Sequence, residues 1–239
     1  TSPATVEMVA TAEDVDGTIT KVGFYANGNL LGEDTTEPYA FEWQNATAGD
    51  YTIQAKATDN EGNTASAYRS ITIKTPSCTG TGNIFQEIWV NTAGRDVRTF
   101  DFSTHPTGGG RYFNTFETTQ YYSNNYASRM RAYLCVPQSG NYALWISSDD
   151  YSELYLSTDE SEANKKLIAW VYGATSFRNY DKYPSQKSVQ VSLQAGRKYY
   201  IEARHKEGSG NDFVSVGWQL PDGTMERPIP GNRLIAIRP

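Results

Sequence analysis

The spacing of the turns constrains this chain more than any other feature. Over residues 1 to 74, short runs of alternating apolar and polar side chains are interrupted every 8 to 12 residues by glycine-containing turns. Val6, Met8 and Ala10 alternate with polar neighbours. So do Tyr39, Phe41 and Trp43, then Tyr51, Ile53, Ala55 and Ala57, and then Ala67, Arg69, Ile71 and Ile73. A period of two places each set on one face of a strand, and regular short strands with punctuating turns imply an all-β sandwich. The breaks fall at Asp16-Gly17, Asn27-Gly28, Ala48-Gly49 and Glu61-Gly62, where glycine supplies the positive φ that tight turns need. No part of this region has the 3.6-residue period of a helix.

Residues 75 to 82, Thr-Pro-Ser-Cys-Thr-Gly-Thr-Gly, carry no apolar side chain beyond the proline ring and the cysteine, which is linker composition. Strand patterns resume from residue 83, now longer and more aromatic: Asn141 to Ser147, Ser152 to Ser157, Lys187 to Leu193, Lys198 to Arg204 and Phe213 to Leu220. Ser161 to Val171 is the exception, where Ala, Lys and Leu allow a helical turn before a strand at Leu167 to Val171. The chain is therefore expected to be all-β, with one sandwich over residues 1–74, a linker over 75–82 and a second sandwich over 83–239.

Several functions are disfavoured. The net charge of −6 and the lack of clustered Lys and Arg argue against a nucleic-acid partner. No stretch approaches the ~20 apolar residues that span a bilayer, so membrane insertion is not expected. His105 and His205 accompany no nucleophile elbow. Asp149 with Glu153 or Glu202 can be imagined as a glycosidase pair, but nothing in the sequence singles it out. Gly108 to Gly110 lacks the Lys-Ser/Thr of a phosphate loop. The two cysteines, Cys78 and Cys135, fit neither a redox nor a zinc-ribbon spacing; a single disulfide is expected, with two unrelated buried thiols as the alternative. Thr1 follows no leader-like segment, so the chain is expected to be a monomeric piece of a longer precursor that is secreted or displayed on the cell surface.

Residues 18 to 66, with TITKVGFYANGNLLGEDTTEPYAFEW followed by GDYTIQAKATDNEGN, resemble the bacterial Ig-like modules of secreted polysaccharide-degrading enzymes, with the usual first strand missing or truncated. Residues 78 to 235 resemble a PA14 domain, carried by SGNYALWISSDDYSELYLSTDES, by SVQVSLQAGRKYYIEARHKEGSGNDFVSVGWQLPDG and by PIPGNRL. The resemblance implies tandem Ig-like and PA14-like β-sandwiches. It also implies a non-catalytic accessory region of a larger bacterial enzyme or adhesin.

In sugar-binding PA14 adhesins the matching aspartate pair is cis-linked and holds Ca²⁺, which binds sugar hydroxyls directly; further oxygens come from a loop before a late strand. The resemblance places that pair at Asp149-Asp150. In a trans peptide on a strand the two carboxylates would point to opposite faces, whereas a cis bond would bring them together on one ion that takes six to eight hard oxygens. The loop corresponds to Glu207 through Asp212, with Asp212 as the preferred partner and Asn211 and Glu207 behind it. The alternative is a turn-capping pair beside an ordinary hairpin. Sugar recognition adds an aromatic face. Tyr121, Tyr122, Tyr126, Tyr151, Trp170, Tyr172, Phe177, Tyr180 and Tyr183 are candidates, and Tyr151 is favoured by its adjacency to the aspartates. In the first region Asp14, Asp16 and Asp59-Asn60-Glu61 lack the spacing and flanking helices of an EF-hand and are read as turn chemistry. The resulting expectation is a Ca²⁺-dependent carbohydrate-binding module pair; the alternative is a structural spacer or protein-interaction module that binds no sugar.

Overall fold

A computed structural model describes residues 4–74 and 77–238. They form two compact units that divide after residue 76. In the first unit β1 (Ala4–Ala10) pairs with β4 (Tyr39–Ala46). Facing them is a four-stranded sheet in the order β3 (Asn29–Asp34), β2 (Ile19–Ala26), β5 (Gly49–Asp59), β6 (Thr64–Ile73). Alternation places Met8, Val22, Phe24, Tyr39 and Ile53 in the core between the sheets. The β6 pattern is only partly used: Ile73 is buried and Ile71 half-buried, but Ala67 and Arg69 are exposed. The opposing sheet has two strands against four, which leaves an open groove of about 500 Å³ lined by Met8, Ile53, Ala67 and Ile71.

The second unit is a larger sandwich of antiparallel strands. Its strands are β7 (Ile84–Trp89), β8 (Gly110–Phe113), β9 (Tyr126–Cys135), β10 (Gly140–Asp149), β11 (Tyr151–Leu156), β12 (Lys166–Val171), β13 (Val191–Leu193), β14 (Lys198–Glu207), β15 (Phe213–Gln219), β16 (Met225–Glu226) and β17 (Leu234–Ala236). One sheet runs β12-β11-β14-β9-β7-β8 with β17 beside β9, and the other runs β13-β10-β15-β16. Alternating side chains from both, including Met130, Leu134, Leu154 and Ile201 from the larger sheet and Leu144, Ile146, Val216 and Trp218 from the smaller, interdigitate in one core.

Three sequence expectations are adjusted. The segment read as a linker splits: Thr75 and Pro76 lie outside the described residues, while Cys78 through Gly82 belong to the second unit. Cys78 is disulfide-bonded to Cys135, and the backbone N–H groups of Gly80, Thr81 and Gly82 donate to the carbonyls of Asn232, Leu234 and Gly231. The strand expected over Lys187 to Leu193 is reduced to Val191–Leu193. Before it, Pro184–Gln186 form a 3₁₀ turn, the Gln186 amide donates to the carbonyls of Ile146 and Asn179, and Ser188 Oγ accepts the Leu144 N–H. These side-chain bonds to the backbone take the place of ladder bonds. The helical turn near Ser161 is a single 3₁₀ turn, Glu162–Asn164, followed by β12. Among the described residues no helix is long and apolar enough to cross a membrane.

Candidate functional site

Strand register assembles the site. Asp149, the last residue of β10, lies opposite Phe213 at the start of β15, and Tyr151, the first residue of β11, lies opposite Lys206 near the end of β14. The chain thus crosses from the smaller sheet to the larger at Asp149-Asp150 and returns between Glu207 and Phe213. Both crossings occupy the same end of the sandwich. The Asp149-Asp150 peptide is cis.

Asp149, Asp150 and Glu207 each present a carboxylate oxygen within 4.8 Å of the others. Glu207 is fully buried. Its Oε2 accepts the Asp150 N–H at 3.0 Å, while Oε1 is buried with no partner. Asp150 is also buried, and its Oδ2 accepts the Gly208 N–H at 3.1 Å. Burial, and then the charge of Asp150, raises Glu207 to about 8; burial, and then the same neighbour, raises Asp149 to about 6. Crowded, partly desolvated carboxylates hold their protons unless something else neutralises them.

The surroundings hold this arrangement. Ser148 Oγ hydrogen-bonds to Ser152 Oγ and donates to the Asp150 carbonyl at 2.7 Å. His205 is fully buried and lies 2.7 Å through Nε2 from the Asp149 carbonyl; a carbonyl only accepts, so Nε2 carries the proton and Nδ1 is left bare and unpartnered. Burial pushes His205 down to about 4 and keeps it neutral.

The expected site residues separate into distinct roles. Glu207, not Asp212, joins the aspartate pair. Asp212 is fully buried, and its carboxylate accepts the Tyr122 and Ser123 N–H groups at 2.7 to 2.9 Å. The neighbouring Tyr126 phenol, held well above its usual range by burial and then by Asp212, closes that pocket. Asp212 therefore fixes the loop before β9 and lies outside the 4.8 Å cluster. Asn211 is exposed on the rim. Tyr151 is half-buried, with its ring 5.7 Å from that of Tyr172 and against a satellite cluster containing Trp89, Val97 and Phe102. Among the other aromatic candidates, Tyr126 and Tyr180 are core residues, while Tyr121, Tyr122, Trp170 and Phe177 are exposed.

The residues present fit a hard divalent cation. The donors are carboxylate oxygens, and the orphaned Glu207 Oε1 is a buried acceptor with nothing to accept from. Sequence reasoning left Arg95 and Lys182 out of the site and weighed His205 only as a hydrolase base. No motif marks the first two, because loop packing alone brings them close. Alternation along β14 does place His205 on the inner face, but not against a carbonyl.

Fold and site together describe a tandem of an Ig-type sandwich and a larger sandwich with an acidic crossing point. A family model for the bacterial Ig domain matches residues 1–55, and one for the PA14 domain matches residues 91–232. The chain belongs to the PA14 family, with a bacterial Ig domain ahead of the PA14 domain. Mouse N-acetyl-beta-glucosaminyl-glycoprotein 4-beta-N-acetylgalactosaminyltransferase 1 is 38% identical over 101 residues, 40% of this chain and 10% of that protein. The match thus spans only about a tenth of that relative's length. Among solved structures, an anti-sigma factor domain-containing protein is 12% identical, with a TM-score of 0.50 over 98% of this chain and 85% of its own. The PA14 sugar-binding domain from an RTX adhesin is 11% identical, with a TM-score of 0.45 over 63% of this chain and 99% of its own.

Proposed function

We propose that the PA14 unit is a non-catalytic, Ca²⁺-dependent carbohydrate-binding module of a larger secreted or surface protein, and that the Ig unit serves as its spacer. The observation that carries this reading is the convergence of Asp149, Asp150 and Glu207 within 4.8 Å, with one buried Glu207 oxygen unpartnered. Asp149, Asp150 and Glu207 would hold the ion. The ion would supply a centre of positive charge with coordination positions facing solvent, where vicinal sugar hydroxyls can replace water. Asp150 and Glu207 are fixed by the N–H groups of Gly208 and Asp150, and His205 and Ser148 fix the backbone carbonyls of the pair, so little ordering remains to be done on binding. One shallow site of this kind binds weakly, and avidity from a multidomain or multicopy parent would set the working affinity.

Calorimetry with Ca²⁺ followed by a glycan panel tests the reading, repeated in EDTA and with Asp149→Ala. Sugar binding that needs Ca²⁺ and is lost in the variant supports it. Ca²⁺ binding with no sugar response would replace it with the structural role.

A further inference from the structure

Two basic side chains, Arg95 and Lys182, sit on segments that adjoin the three carboxylates, and neither forms a salt bridge with an acid among the described residues. Arg95 is exposed and makes no hydrogen bond or salt bridge to any described side chain. It is nevertheless placed closely: a side-chain carbon built on Gly208 would lie 3.3 Å from Arg95 Cβ and 3.4 Å from Asp150 Oδ2. The guanidinium lies 5.8 Å from the centre of the Tyr151 ring. Its backbone is anchored from below, since the buried Lys206 ammonium donates to the carbonyls of Thr92 and Gly94. Asp149 bridges to Ala174, and the exposed Lys182 ammonium donates to the Ala174 carbonyl at 2.7 Å. Arg98, close to Arg95 in sequence, shows the contrast, because Asp96 neutralises it at 2.6 Å.

Neither cation bonds to a carboxylate oxygen of the cluster. Instead the carboxylate oxygens accept backbone N–H groups, and Lys182 bonds a carbonyl. Once a divalent ion occupies the cluster, the three carboxylates, the ion, Arg95 and Lys182 together carry a surplus of about one positive charge, on a chain whose net charge is −6.

Resting on the carbohydrate reading above, we propose that the glycan taken at this site is acidic, and that Arg95 and Lys182 select a uronic-acid carboxylate or a sulfate beside the ion-bound hydroxyls. A guanidinium pairs with a planar carboxylate in a two-pronged arrangement, and an ammonium acts as a point charge. Each exposed pair contributes up to about fivefold in affinity.

The test uses methyl glycosides in gluco, galacto and manno configuration, each as the neutral sugar, the 6-carboxylate and the 6-sulfate, titrated by NMR into the Ca²⁺-loaded full chain. The expected result is an acidic-over-neutral preference of about 3- to 10-fold at 20 mM NaCl, shrinking toward one at 0.5 M as the charges are screened. In Arg95→Gln/Lys182→Gln that ratio should fall to about one, while the thermal stabilisation by Ca²⁺ persists and reports that the fold is intact. The carboxylate and sulfate arms identify which anion is preferred. Equal affinity for neutral and acidic sugars would overturn this inference and leave the carbohydrate reading standing. Failure of every sugar to bind the Ca²⁺-loaded protein would overturn both.

Discussion

Glu207 is where charge, burial and stability meet, and Glu207→Gln exposes the relation. Two like charges 4.8 Å apart repel by about 3.5 kcal/mol at an effective dielectric near 20, and Glu207 faces two such neighbours. The fold can relieve that repulsion with protons or with a cation. At pH 8 in chelator, where Asp149 is ionised and Glu207 is half so, the wild-type PA14 unit should be weaker than at pH 6. Ca²⁺ at 100 times its dissociation constant stabilises the folded state by about 2.7 kcal/mol. For a dissociation constant near 0.1 mM, within the range of extracellular modules, 10 mM Ca²⁺ suffices. For a unit of this size the melting temperature should then rise by about 5 to 11 °C.

Glu207→Gln keeps the shape and an acceptor for the Asp150 N–H but removes one ligand charge. Its melting temperature in chelator should equal or exceed that of the wild type, and its Ca²⁺-induced shift should fall to half or less. Scanning calorimetry at pH 8, with Mg²⁺ as a control and the Ig transition as an internal standard, reads both quantities. A wild-type Ca²⁺ shift under 1 °C, or an undiminished shift in Glu207→Gln, would refute the reasoning.

The same groups set a pH dependence. Asp149 and Glu207 have raised folded-state values of about 6 and about 8, so the stability they contribute is present below their unfolded values and is lost as pH rises through 6 and then 8. His205, lowered to about 4, acts oppositely and removes stability as pH falls from 6.5 toward 4. The metal-free PA14 unit should therefore melt lower at pH 8.5 than at pH 6, and a melting temperature that rises over that interval would contradict these directions. Asp212→Asn should leave Ca²⁺ coordination possible but loosen the loop held at Tyr122 and Ser123, seen as faster amide hydrogen exchange there; unchanged exchange would count against its loop-fixing role. Cys78 and Cys135 are 57 residues apart, a loop whose closure is worth about 4 kcal/mol. Reduction or Cys78→Ser with Cys135→Ser should cost about 2 to 4 kcal/mol in urea unfolding, toward the lower end because Gly80, Thr81 and Gly82 remain hydrogen-bonded to residues 231 to 234. Gly231→Ala would set a methyl against the Gly82 carbonyl and should destabilise the same seam, measured by the same unfolding.

The parts of the fold legible in the sequence are those that obey a local period. Alternation gave the strands around Asn141, Ser152, Lys198 and Phe213, because an interior strand buries every second side chain wherever its partners lie. It misled at Ala67 and Arg69, where the period is intact but the facing sheet is too narrow to cover β6. It misled again at Lys187, where Gln186 and Ser188 satisfy the neighbouring backbone with side chains. The site divides in the same way. Asp149-Asp150 and the Glu207 to Asp212 loop were identifiable by their order around two strands. The choice between Glu207 and Asp212 was not, because it depends on which carboxylate faces the crossing and which faces the N–H groups of Tyr122 and Ser123, and pairing register decides that.

This division also bears on how a site of this kind changes its ligand. The three carboxylates sit at strand ends, where the register of β10 with β15 and of β11 with β14 holds them, so moving them would disturb the sandwich itself. Arg95 and Lys182 come from connecting segments, which accept substitution far more readily than strand ends do. Under the proposed function, a carboxylate cluster fixed by the sheets and a selectivity carried by the loops can therefore vary independently. On the proposed reading, charge exchange at residues 95 and 182 is the smallest change that should redirect the site from acidic to neutral glycans while leaving the carboxylate cluster in place.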